Sequence, residues 1–206
     1  PHMYHFGDWY YLMVAEGGTE YGHMVTYARS KDPYGPFEAY AKNPVLTNRN
    51  LGGNENHIQG IGHGDLIATP YGETFMVCLG FRIQSDWMPF HHLGREVFLV
   101  PVTCDDNGWF TAGVNGTVEA VMDMPLKADV QEMDGRYDVS FETLKREPQR
   151  LCHLREYHPE CYAFAKNSVV LLGNRFTLND SETPTFLGIR QSEFDTELNV
   201  GLSGNS

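Results

Sequence analysis

GDWYYLMV at residues 7–14 and GETFMVCL at residues 72–79 repeat one order of parts: a turn glycine, an acid, then an aromatic and apolar run. Glycine takes the backbone conformations that tight turns require, and aromatic or branched side chains suit a pleated, half-buried surface. Each stretch therefore reads as a turn leading into a strand. Recurrence of the unit suits blades of a β-propeller separated by insertions. Two hairpins of a sandwich give the same pattern, so the repeat fixes the strands before it fixes the architecture.

Outward from these stretches the chain continues as short period-2 segments closed by turn formers. Residues 9–15 end at Gly17-Gly18, residues 24–29 end at Asp32-Pro33, and residues 65–69 turn at Pro70-Tyr71-Gly72 into 74–80. Residues 95–103 turn through Asp105-Asp106-Asn107-Gly108 into 109–112. None carries a 3.6-residue apolar stripe. The 12 Phe, 11 Tyr and 3 Trp beside 21 Gly favour strands and tight turns, so the expected fold class is all-β. Residues 129–150 are charged and poor in strand signals, which reads as a linker. It separates a first unit, 1–128, from a second, 151–206, where 162–172, 186–190 and 194–200 resume the strand pattern.

Charge and cysteine content exclude several functions. With 27 acidic against 15 basic side chains the formal charge is -12, and no Lys/Arg run offers a patch for phosphates. Nucleic acid is not an expected partner. The apolar runs at 75–80 and 97–102 are far shorter than the ~20 residues of a membrane helix, so no membrane partner is expected and the chain reads as soluble. Whether it is cytoplasmic or secreted is left open, as is its oligomeric state. Cys78, Cys104, Cys152 and Cys161 lack zinc-site spacing. They read as reduced packing residues, with a Cys152–Cys161 disulfide as the alternative in a secreted protein. The chain begins at Pro1, without Met, and reads as an excerpt of a longer protein.

Several stretches place reactive groups at strand ends. AEGGTEYGH at 15–23 gathers a carboxylate, two glycines, a hydroxyl and an imidazole into one strand-to-loop junction. Such groups can converge on a ligand, or they can bond to the loop itself. In GIGHGDL at 60–66, small residues surround His63, which leaves it either a structural turn histidine or a ring facing a cavity. Arg95 and Glu96 open an apolar strand. A guanidinium there either pairs internally with Glu96 or binds hydroxyl-rich ligands with its planar fork. Glycosidic bond hydrolysis requires two carboxyl groups in opposed roles. Glu16, Glu55, Asp65 and Asp86 lie near these loops, but no spacing selects a pair.

Five pieces in order, PHMYHFGDWYYLMVAEGGTEYGH (1–23), ARSKDPYGPFE (28–38), NPVLT (43–47), GIGHGDLI (60–67) and LGREVFLVPV (93–102), resemble glycoside hydrolase family 43, in its β-xylosidase and α-L-arabinofuranosidase branch. TPTFLGIRQSEFD at 183–195 resembles the first strands of the concanavalin-like β-sandwich that this branch carries behind its catalytic domain. The resemblance implies that 1–128 is the C-terminal part of a five-bladed β-propeller and 151–206 the beginning of the sandwich. It also implies inverting, exo-acting release of terminal xylosyl or arabinosyl units from xylo-oligosaccharides or arabinoxylan-derived sugars, with no required cofactor. A non-catalytic sugar-binding propeller and an endo-arabinanase are the alternatives.

The family's three catalytic carboxylates, two aspartates and a glutamate acid, are expected upstream of Pro1. Pro1-His2 match the end of the family's Glu-Gly-Pro-His motif, which puts the acid two positions before Pro1. What the resemblance assigns within this chain is a supporting shell. Arg95 and Thr19 would line the terminal sugar subsite, and His63 would lie at the propeller centre, where many relatives hold a calcium ion through water. Glu16 would brace the loop, and Glu96 would be a further structural support. FRIQSDWMPFHH at 81–92 follows no firm family pattern. Its Trp87 and Phe90 are candidates either for stacking on a sugar ring or for ordinary packing.

Overall fold

The computed structural model describes residues 1–52, 56–85, 89–125, 140–146 and 150–204. They divide into two compact units, Pro1–Asp129 and Val130–Ser206.

The first unit holds two four-stranded antiparallel sheets, each a simple meander. One runs β1 (His2–Phe6), β2 (Trp9–Glu16), β3 (Met24–Ser30) and β4 (Glu38–Ala39), and the other β5 (Ile58–Ala68), β6 (Thr74–Arg82), β7 (Glu96–Cys104) and β8 (Phe110–Ala112). The repeated stretches occupy equivalent places, since β2 and β6 are the second strands of their sheets. The mostly β architecture of antiparallel four-stranded sheets is consistent with part of a propeller. Two strands go beyond the sequence reading. β1, His2–Phe6, has neither an apolar alternation nor a fully buried position, and β4 is two residues long.

β5 corrects one expectation. GIGHGDL reads as a turn ahead of a strand starting at Asp65, yet it lies inside an eleven-residue strand. Register with β6 slips between Gln59 and Gly62 and again between Gly62 and Asp65. Gly60 and His63 take left-handed φ of 65° and 52° at these bulges. Close approach, not turning, explains the glycines. A Cβ at Gly60 would fall 2.2 Å from the Phe81 ring, one at Gly62 2.4 Å from the His23 ring, and one at Gly64 2.6 Å from Met76 Sδ.

The two sheets share one core. Tyr11, Met13, Val25 and Tyr27 from the first meet Leu66, Met76, Cys78, Val100 and Phe110 from the second. Burial pushes the Cys78 thiol up to about 12, so it packs as an apolar group. All four cysteines are free thiols. Buried Asn48 donates Nδ2 to the carbonyls of Ile58 and Val118, and its Oδ1 accepts from the Val118 N–H. Arg29, 7% exposed, lies between Trp9 and Trp109, 4.0 and 3.6 Å from their ring centroids, and donates to the Asn107 carbonyl. Cation–π contact lets this buried charge join the sheets.

Tyr27 is the sharpest joint. Its ring stacks on Phe110 at 3.8 Å, its hydroxyl donates to the Phe110 carbonyl at 2.9 Å, and the same oxygen accepts the Phe110 N–H. Tyr27→Phe would leave both buried peptide groups without that partner. It should cost about 2 kcal/mol, read as a lower urea midpoint at unchanged slope. A loss below about 0.5 kcal/mol would show that the hydroxyl is not their main partner.

In the second unit, α1 (Phe141–Arg146) lies within the stretch read as a linker. Ser140 Oγ accepts from the Thr143 N–H, and Arg146 pairs with Glu142 at 2.8 Å one turn away. β9 (Leu151–Cys152) pairs with β12 (Gly188–Ile189), and β10 (Tyr162–Phe164) pairs with β11 (Val169–Leu171). Residues 162–172 thus form a hairpin, closed where the Ala165 N–H donates to Ser168. Residues 194–200 form no strand, contrary to their apolar alternation. Among the described residues they have no ladder partner, and Leu198 and Val200 are exposed.

Candidate functional site

Of the groups singled out in the sequence, Thr19 and Arg95 meet where the loop between β2 and β3 reaches the approach to β7. Gly17 and Gly18 leave β2 with φ of 77° and 79°. A Cβ on Gly17 would lie 1.9 Å from the Gly22 carbonyl oxygen, so the neck of the loop closes only without side chains there. The Glu20 carbonyl accepts from the His23 N–H and completes the turn. Thr19, Glu20 and Tyr21 form the projecting tip.

That tip grips the second sheet. Arg95, immediately before β7, donates Nη2 to the Thr19 carbonyl at 2.6 Å and to Glu20 Oε1 at 2.8 Å. Glu20 Oε2 lies 3.5 Å from His91 Nε2. The Tyr21 hydroxyl donates to the Pro89 carbonyl at 2.9 Å, and its ring meets Phe81 edge-on at 5.2 Å. Phe81, fully buried, stacks on His91 at 4.1 Å.

His23 sits beneath this junction, buried, with Nδ1 3.0 Å from the Gly60 carbonyl and its own carbonyl accepting from Thr47 Oγ1. Burial pushes the imidazole below its usual range, and the positive fields of His63 and Arg95 push the same way. Gly62, beside His63 in the chain, packs so closely on the His23 ring that a Cβ there would lie 2.4 Å from it. A neutral His23 donating from Nδ1 fits the Gly60 carbonyl.

The remaining candidates fall as follows. Thr19 takes part through its backbone carbonyl. His63 is exposed at the second bulge of β5. Glu16 accepts from Thr26 Oγ1 at 2.6 Å across the end of the β2–β3 pair, and it lines a groove with Leu12 and Val14 that neither the loop tip nor Arg95 enters. Glu96 forms a forked ion pair with Arg82, at 2.9 and 3.2 Å from Nε and 3.0 Å from Nη2. The internal pair considered for Arg95 is thus made by the neighbouring carboxylate with a different arginine. Phe90 is 64% exposed. Trp87, Glu55 and Asp86 lie outside the described residues.

Asp65 belongs to a second cluster. It accepts from the Tyr4 hydroxyl, lies 3.6 Å from His2 Nδ1, and so ties β1 to β5. Burial, then the bond to Asp65, pushes the Tyr4 phenol up to about 12.

Calcium takes about six to eight oxygen ligands. Among the described residues no group of three or more His, Cys, Asp or Glu is arranged for a metal, and His63 offers a nitrogen. These side chains do not by themselves form a calcium cage.

Glu20, Tyr21 and His91 are the site residues that the sequence reading missed. Glu20 lies 75 residues from Arg95, and nothing local to either names the other. His23 was visible only as the imidazole of 15–23.

Oriented N–H donors on a fixed guanidinium, beside imidazoles and exposed aromatic surface, suit a neutral ligand rich in hydroxyls. Residues 1–110 match Glycosyl hydrolases family 43, and the chain belongs to that family. It is 38% identical over 199 residues to a non-reducing end α-L-arabinofuranosidase of Bacteroides ovatus, covering 95% of this chain and 36% of that protein. It is 31% identical to a xylosidase/arabinosidase of Butyrivibrio fibrisolvens, covering 98% of this chain and 39% of that one. Among solved structures, a Bacteroides ovatus Xyloglucan PUL GH43B aligns with a TM-score of 0.79 at 37% identity, over 94% of this chain and 38% of the other. The chain therefore spans little more than a third of the length of these relatives. No helix among the described residues is long and apolar enough to cross a membrane.

Proposed function

We propose that the protein is an inverting, exo-acting glycosidase that releases terminal xylosyl or α-L-arabinofuranosyl units from xylan-derived oligosaccharides. In this reading the two four-stranded sheets are blades of a five-bladed propeller, and the second unit is the start of a concanavalin-like sandwich. One observation carries the proposal: Arg95, from the second sheet, is fixed by the loop tip of the first through the Thr19 carbonyl and Glu20 Oε1. A guanidinium held in that way can present N–H donors to a pentose without reorganising first.

The acid and base are assigned to sequence upstream of Pro1, and Arg95, Thr19 and His63 serve binding and orientation. The contact of His2 and Tyr4 with Asp65 supports this arrangement, because it anchors β1, the strand that the acid would precede. Exposed Phe90 is available to stack on the leaving sugar. His63 would face any ion only through water.

The test compares the full-length protein with the 206-residue chain on an aryl β-xyloside and an aryl α-L-arabinofuranoside. Full-length protein should release nitrophenol from at least one of them. The chain alone should release none, because without paired acid and base nothing protonates the leaving oxygen while activating water. Turnover by the chain alone would place the carboxylates within it. An inert full-length protein that still binds the sugar would identify a binding propeller instead.

A further inference from the structure

Resting on that reading, we propose that Glu20 is a positioning residue for the sugar site: its carboxylate sets the direction of the Arg95 guanidinium and locks the loop tip of the first sheet to residues 89–95. Its two oxygens are divided between two partners. Oε1 accepts from Arg95 Nη2 at 2.8 Å, and Oε2 faces His91 Nε2 at 3.5 Å. The His91 ring is held against fully buried Phe81, so one side of the carboxylate abuts a fixed wall. Tyr21, the next residue, is held in turn by the Pro89 carbonyl and the edge of Phe81.

Because the glycine neck pins the loop, the tip does not follow Arg95. The arginine conforms to the tip. The Thr19 carbonyl supplies one acceptor on Nη2, and Glu20 Oε1 supplies a second that orients the guanidinium. A solvent-exposed ion pair contributes little to stability as such. A purely structural Glu20 would therefore be nearly silent on substitution, whereas a positioning Glu20 would change sugar affinity.

The measurement is steady-state kinetics of the full-length protein on the aryl pentoside it cleaves best. Glu20→Ala should raise KM about tenfold with kcat held within about twofold, the pattern of lost ground-state and transition-state binding together. Glu20→Gln keeps an acceptor for Nη2 and should recover most of the affinity. Glu20→Ala added to Arg95→Ala should do no further damage, because the carboxylate acts through the arginine. If Glu20→Ala does not fold, Glu20→Asp, which withdraws the carboxylate by one methylene, should show the same rise in KM. Unchanged KM, or losses that add to those of Arg95→Ala, would overturn the role of Glu20 while leaving the glycosidase reading intact. Wild-type kinetics for Arg95→Ala would remove Arg95, and Glu20 with it, from the sugar site.

Discussion

Gly17→Ala should destabilise the protein by about 3 kcal/mol and weaken sugar binding at the same time. Two costs act together. At φ of 77° a Cβ meets its own backbone, at roughly 1–2 kcal/mol. The new methyl would also fall 1.9 Å from the Gly22 carbonyl, a backbone atom that cannot rotate away, and overpacking of this kind costs about 1–3 kcal/mol. Relief would open the neck and shift the tip that carries Thr19 and Glu20. A urea midpoint close to wild type would show that the loop is loose and does not hold Arg95. A lowered midpoint with unchanged KM would separate fold from site and count against the loop as part of it.

Arg95→Ala in the full-length protein should lower kcat/KM by about a hundredfold, equivalent to about 3 kcal/mol. The magnitude is that of charged hydrogen bonds withdrawn from a ligand whose hydroxyls then lack partners. Stability should change much less, because the side chain is 39% exposed and its ion pair with Glu20 is accessible to water. Kinetics indistinguishable from wild type on both aryl xyloside and aryl arabinofuranoside would remove Arg95 from the site.

How legible the molecule was depends on the range over which each signal acts. The β2 and β6 strands, and the turns before them, were readable because alternation and turn chemistry are local. β5 was misread for a related reason. Three alternating glycines look like a turn when only neighbours in sequence are considered, and they become a bulged strand once Phe81, His23 and Met76 press against them. Residues 194–200 erred the other way, since alternation proposes a strand but only a partner can accept its hydrogen bonds. Arg95 and Thr19 were singled out in the sequence by family resemblance, and their contact, 76 residues apart, became visible only in three dimensions.

Local signals in the sequence carried a mostly β chain with a repeated strand unit, its turn glycines, and a net charge of -12. Only the folded chain brings the polar partners together: Glu20 with Arg95 and His91, Glu96 with Arg82, and Asp65 with the Tyr4 hydroxyl. The physical reason is that backbone preference is set within a few residues, whereas these contacts depend on strands and sheets far apart in sequence reaching one place. That register is fixed by the shared core of Tyr27, Phe110 and their neighbours, which no stretch of chain encodes alone.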